Sequence, residues 1–152
     1  TNTQQKNKLG ERVLSVLGSN LEDKTVAAWG LSFKPNTDDM LEAPSRHLMD
    51  SVWAAGGKVQ AYDPVANESC KEIYGEENKL TLVDTKEEAL ENADVLVICT
   101  EWKAFWSPDF ELIISLLNQP VIIDGRNLYN PASMAELGID YYGIGRGLSL
   151  SQ

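Results

Sequence analysis

Asp94-Val95-Leu96-Val97-Ile98-Cys99-Thr100 is the stretch whose reading decides the fold. Between Val95 and Cys99 every side chain is apolar, so a strand here has no face to give to water and needs cover on both sides. Such strands belong to parallel sheets flanked by helices. Outward from it, short runs rich in β-branched residues alternate with amphipathic segments at helical spacing, the pattern of repeated β-α units. Further strands are predicted at Thr25 to Phe33, Lys58 to Asp63, Leu80 to Val83, Val121 to Asp124 and around Ile139 to Ile144. Strands alternating with helices in this way predict an α/β, Rossmann-like, doubly wound and mainly parallel six-stranded sheet, with right-handed crossovers placing helices on both faces.

The helices carry their own punctuation. Ser107-Pro108 and Asn130-Pro131 each put a capping residue before a proline at the first helical position. Thr85 and Glu88 have capping-box spacing. In the segment from Pro44 to Ala55, Leu48 with Val52 and Met49 with Trp53 form one stripe that Gly56-Gly57 ends. Ahead of the first strand, Leu9, Val13, Val16 and Leu17 mark an amphipathic helix stopping at Gly18, which reads as the end of a longer element.

At 152 residues and 43% hydrophobic content, the chain has material for one core, and no internal repeat or linker marks a second domain. No apolar run of about 18 residues and no signal-peptide pattern occurs, so a cytoplasmic protein is expected. The formal charge of -10 argues against nucleic acid and anionic membranes, both of which need a basic surface. Cys70 and Cys99 form no CxxC pair and His47 is the sole histidine, which makes a metal site improbable. Cys99 falls in the most apolar strand and Cys70 on a helical stripe with Ala66, Ile73 and Tyr74, so neither reads as a nucleophile. His47 lies within a helix pattern with no visible partner, favouring a solvent-facing or capping role over catalysis. The acidic stretches Glu76-Glu77 and Lys86-Glu87-Glu88 read as solvated faces.

Open α/β sheets bind ligands at the carboxyl ends of their strands. A strand order of the 3-2-1-4-5-6 type makes the first, fourth and fifth strands neighbours, so that Gly30 to Asp39, Thr100-Glu101-Trp102 and Asp124 to Asn127 share one crevice. Gly30 stands without the other glycines of a G-x-G-x-x-G loop, which argues against a self-contained dinucleotide site. Asp63, at the place of a ribose-binding acid, reads rather as a turn residue before Pro64. Lys34 and Arg126 follow apolar strands on an acidic chain. Either they meet an anionic ligand, or they form structural ion pairs with neighbours such as Asp38 and Asp124; spacing alone leaves the two readings equal. Trp102, Phe105 and Trp106 suit a core or interface better than base stacking.

Gly30-Leu31-Ser32-Phe33-Lys34-Pro35-Asn36-Thr37-Asp38-Asp39, Glu42-Ala43-Pro44, Ala61-Tyr62-Asp63-Pro64, Thr100-Glu101-Trp102-Lys103-Ala104-Phe105 and Asp124-Gly125-Arg126-Asn127 together resemble the C-terminal domain of the UDP-glucose dehydrogenase family. The resemblance covers nearly the whole chain. It implies that residues 1–20 end a central linking helix and that residues 21–152 form the UDP-binding domain. It further implies an N-terminal partner domain that holds NAD, a homodimer, and oxidation of UDP-glucose to UDP-glucuronate with two NAD through a cysteine-bound thiohemiacetal and thioester. Carried onto this sequence, Phe33 and Lys34 resemble substrate contacts and Arg126 the cation holding the UDP-sugar. The catalytic cysteine has no match here, so this chain alone is expected to be inactive. Leu41 stands where the family usually has an NAD-contacting Arg, which implies weaker NAD binding. Sister enzymes acting on GDP-mannose or UDP-N-acetylmannosamine share the pattern and rank second; a non-catalytic nucleotide-sensing module would need the glycines that are missing.

Overall fold

The computed structural model describes residues 2–41, 43–75 and 78–143. Three features singled out above, Glu42, the pair Glu76-Glu77 and the Ile144 end of the last strand, lie outside the described residues.

In chain order the elements are α1 (Asn2–Leu17), β1 (Thr25–Trp29), α2 (Pro44–Ala54), β2 (Lys58–Tyr62), α3 (Asn67–Tyr74), β3 (Leu80–Leu82), α4 (Lys86–Leu90), β4 (Val95–Ile98), a 3-10 turn over Lys103–Phe105, α5 (Phe110–Leu116), β5 (Val121–Asp124), α6 (Pro131–Glu136) and β6 (Asp140–Gly143). The described strands form one sheet in the order β3-β2-β1-β4-β5-β6. Each described pairing is parallel, with Val26 opposite both Val59 and Val95, and Ile98 opposite Asp124. The doubly wound α/β reading therefore holds.

Alternation along the central strands explains why they are apolar throughout. Val26 and Ala28 of β1, Val95 and Val97 of β4, and Val121 and Ile123 of β5 join Leu9, Val13, Leu48, Met49, Val52 and Cys70 in a core under α1, α2 and α3. The intervening Ala27, Trp29, Leu96, Ile98 and Ile122 join Leu90, Phe105, Ile113, Met134 and Tyr141 in a second core under α4, α5 and α6. Successive strand side chains point to opposite faces, so one short segment feeds both layers. Leu9 and Val13 are buried in the first core, so the later turns of α1 pack against it.

Several local signals act as expected. Asn130 accepts a hydrogen bond from the Ser133 N–H at 3.0 Å, with Pro131 opening α6. Thr85 accepts from the Glu88 N–H at 3.1 Å. Two expectations are corrected. Pro108 does not open α5; Asp109 caps it instead, accepting from the Leu112 N–H at 3.1 Å, because its carboxylate offers a stronger acceptor at the helix start than the Ser107 hydroxyl. The first strand ends at Trp29, short of Phe33, because Gly30 turns at φ +94° and the next two N–H groups leave the ladder for a side chain.

Candidate functional site

That side chain is Asp63. One of its oxygens accepts from the Leu31 N–H at 2.7 Å and the Ser32 N–H at 3.1 Å. The loop after β1 is clamped from two further sides: Ser45 Oγ donates to the Leu31 carbonyl at 2.7 Å and Thr100 Oγ1 to the Ser32 carbonyl at 2.8 Å. Ser32 Oγ donates to the Lys34 carbonyl at 2.8 Å, and the Phe33 N–H to the Asp39 carbonyl at 2.7 Å. The result is a rigid loop that holds Phe33, 51% exposed, and the exposed Lys34 out from the carboxyl edge of the sheet. The ion pair of Lys34 with Asp38 is not formed; Asp38 instead accepts from Ser69 Oγ at 3.2 Å. Among the described residues no carboxylate pairs with Lys34.

Two strands away, the turn after β5 is built on the fully buried Asp124. Its carboxylate accepts from the Arg126 N–H at 2.9 Å, the Leu128 N–H at 2.7 Å, the Tyr129 N–H at 3.2 Å and the Tyr141 hydroxyl at 2.6 Å. Gly125 lies flush on β4: a side chain there would stand 2.7 Å from the Ile98 carbonyl. The Asp124 charge is thus consumed by the turn, and the expected alternative of an Asp124 ion pair is corrected. The Arg126 guanidinium reaches instead to Glu101, with Nη2 2.9 Å from Oε2. Both side chains are substantially exposed, so this pair is worth at most about 1 kcal/mol, and a guanidinium has further N–H groups for an anion. The strand order brings the loops carrying Lys34, Glu101 and Arg126 side by side, as the switch-point argument requires.

Beside them lies a cleft of about 530 Å³ whose walls include Pro35, Asn36, Pro64, Glu101, Trp102 and Trp106. Both indoles are anchored by their N–H groups, Trp102 to Asp63 at 3.2 Å and Trp106 to the Glu101 carbonyl at 3.1 Å. The aromatic trio therefore splits: Phe105 is core, stacked on Trp29 at 5.0 Å, while the two tryptophans line the cleft. Leu41, 69% exposed, sits on a turn where its N–H donates to Asp39 at 2.9 Å.

The turn reading of Asp63 is half of its role. Its second oxygen does accept from the Val65 N–H at 2.9 Å and the Ala66 N–H at 2.8 Å, while the first ties down β1 and Trp102. With both oxygens engaged by protein N–H groups, Asp63 offers no acceptor to a ribose, and the β1 loop has only Gly30 in place of a glycine-rich cradle. The described residues therefore do not fit a dinucleotide. Nor do the thiols fit a nucleophile's role. Burial, with the Asp63 charge adding to it, pushes Cys70 and Cys99 each up to about 12, far above the range of a reactive thiolate. His47 is half-buried on α2. Among the described residues no His, Cys, Asp and Glu cluster is fit to hold a metal, and no helix is long and apolar enough to cross a membrane.

Residues 27–131 match the UDP-glucose/GDP-mannose dehydrogenase family, UDP binding domain. The chain is 47% identical over 148 residues to the UDP-glucose 6-dehydrogenase of Pseudomonas aeruginosa, covering 95% of this chain and 33% of that protein. Among solved structures it resembles an NDP-N-acetyl-D-galactosaminuronic acid dehydrogenase from Methanosarcina mazei, with TM-score 0.72 and 29% identity over 93% of this chain and 28% of the other. It also resembles a UDP-glucose dehydrogenase from Pyrobaculum islandicum, with TM-score 0.68 and 25% identity over 82% of this chain and 27% of the other. The chain spans about a third of the length of the curated relatives it matches. A doubly wound sheet without a dinucleotide cradle, two cations at its carboxyl edge and a family match over most of the chain lead to one assignment: this chain belongs to the UDP-glucose/GDP-mannose dehydrogenase family, as its UDP binding domain.

Proposed function

We propose that this chain is the substrate-holding part of a UDP-glucose 6-dehydrogenase, which oxidises UDP-glucose to UDP-glucuronate with two NAD. The observation that carries the reading is the delivery of Lys34 and Arg126 to one sheet edge of a chain whose formal charge is -10, each held by a loop whose own hydrogen bonds fix it. A diphosphate supplies the counter-charge that such a placement calls for. Lys34 meets it directly. Arg126 rests on Glu101 until the stronger anion draws the guanidinium across. Phe33 covers the sugar side of the same edge. Binding energy collected on the UDP moiety then fixes the sugar against reacting groups in another part of the enzyme.

In this reading residues 1–20 continue a central helix that carries the contact of a homodimer, and residues 21–152 form the UDP-sugar domain. NAD and the catalytic cysteine belong to an N-terminal domain, in keeping with the saturated Asp63 and the buried thiols here. NAD would supply hydride acceptance there; this chain binds, orients and shields. Leu41 weakens the domain's own contribution to NAD.

The test is steady-state turnover of the enzyme containing this domain. UDP-glucose should be preferred over GDP-mannose and UDP-N-acetylmannosamine, with two NADH formed per sugar, and Lys34→Ala should raise the KM for UDP-glucose about tenfold, the loss of one charge-assisted contact. Preference for another sugar nucleotide, or an unchanged KM in the variant, rejects the reading.

A further inference from the structure

We infer that Asp63 is the positioning residue of the substrate edge, one buried carboxylate that ties the loop presenting Lys34 to the loop carrying Glu101, the ion-pair partner of Arg126. The inference rests on the proposed role of those two cations. Asp63 is 2% exposed, and the N–H groups that it accepts come from three separate segments of chain: Leu31 and Ser32 after β1, Val65 and Ala66 after β2, and Trp102 after β4. The first pair fixes the backbone immediately before Phe33 and Lys34. The Trp102 bond fixes the residue next to Glu101, and Glu101 holds Arg126. No other described side chain spans the same three loops.

A carboxylate suits this place for a specific reason. It is acceptor-only, so it takes N–H groups on every side without needing a donor's orientation, and its charge shortens the bonds it accepts. Asparagine, nearly the same size, turns an NH₂ group toward N–H donors on one side and loses the charge. The loop after β1 or the Trp102 indole must then let go.

Asp94 supplies the internal control. It is likewise buried, 6% exposed, and accepts from the Thr25 N–H at 2.9 Å and from Asn118 Nδ2 at 3.1 Å. It does so at the amino ends of β1 and β4, away from the substrate edge. A merely structural role for Asp63 makes Asp63→Asn and Asp94→Asn behave alike.

The experiment measures UDP affinity of the full enzyme for Asp63→Asn, Asp94→Asn, Trp102→Phe and Arg126→Ala, together with the indole N–H resonance of Trp102. Asp63→Asn is expected to weaken UDP binding at least tenfold and to shift the Trp102 resonance, while Asp94→Asn keeps the affinity within twofold at a comparable loss of thermal stability. Trp102→Phe, which removes the cross-loop N–H and trims the ring in the cleft wall while leaving Asp63 in place, is expected to weaken binding severalfold and carries the test if Asp63→Asn does not fold. Equal losses in the two Asp variants overturn the inference. So does Asp63→Asn binding within twofold of the parent or, if that variant does not fold, Trp102→Phe doing so. Unchanged binding in Arg126→Ala overturns the underlying reading instead, and a parent enzyme that does not bind UDP overturns both.

Discussion

Replacing Gly30 with alanine is expected to cost this domain about 3 kcal/mol, and the figure follows from two separate features of the turn. The residue sits at φ +94°, where a Cβ is opposed by its own backbone at roughly 1–2 kcal/mol. The added methyl also lands 2.6 Å from Thr100 Cβ and Oγ1 and 2.9 Å from the Thr100 backbone N. That wall is the backbone and Cβ of Thr100, just past the end of β4, and cannot swing aside, so overpacking adds about 1–3 kcal/mol. For a chain of this length each kcal/mol moves the melting temperature by about 2–4 °C, so a drop of about 6–12 °C is predicted. Gly18→Ala separates the two causes: φ there is +101° with nothing within 4 Å of the added carbon, so only the backbone cost of about 1 kcal/mol remains. Thermal unfolding followed by circular dichroism measures both. A Gly30→Ala protein melting within about 2 °C of the parent, or no more perturbed than Gly18→Ala, refutes the claim that Thr100, just past β4, holds the β1 loop by direct contact.

Leu41→Arg in the full enzyme is expected to lower the KM for NAD up to tenfold, the worth of about 1.4 kcal/mol from one new charge-assisted contact; an unchanged KM rejects the role given to that position. The buried thiols predict a loss of stability in alkali. Native Cys70 and Cys99 hold their protons up to about 12, whereas the unfolded thiols ionise near 9. The native state therefore binds more protons across that window, and stability that is complete below about pH 9 declines as pH rises toward 12, by up to about 1.4 kcal/mol per pH unit for each thiol. Urea midpoints across this range check the slope, and Cys99→Ala should flatten it. Rapid labelling of either thiol in the native protein near pH 8 contradicts their burial.

The architecture was legible because the residues that decide it act locally. An apolar run such as Val95 to Ile98, helical stripes such as Leu48 with Val52, and caps such as Asn130 and Thr85 each point to the same doubly wound sheet, and such agreement across levels is what specifies a fold. Strand ends were less legible: Leu31 and Phe33 continue an apolar run, but the pairing stops at Trp29 because Asp63, distant in sequence, captures the N–H groups that would have extended it. The same non-local bonding hid the site's organisation. Asp63 before Pro64 reads as a turn, and its first-loop and Trp102 partners follow only from the strand order. Asp124, two residues from Arg126, was the nearer carboxylate in sequence, yet the turn's own N–H groups and Tyr141 claim it, leaving Glu101 to take the guanidinium. Lys34 and Arg126 stand out in the sequence as cations just after apolar strands on an acidic chain, whereas Phe33 and the substrate roles of all three rest on the family resemblance.

The most direct test of the central claim is a ligand-observed NMR titration of this chain with UDP, with NAD as the comparison ligand, repeated on Arg126→Ala. Saturable UDP binding that exceeds any NAD binding and falls at least tenfold in the variant is the predicted result. Equal or stronger binding of NAD, or UDP binding that the variant leaves intact, contradicts the assignment of the UDP site to the carboxyl edge of β1, β4 and β5.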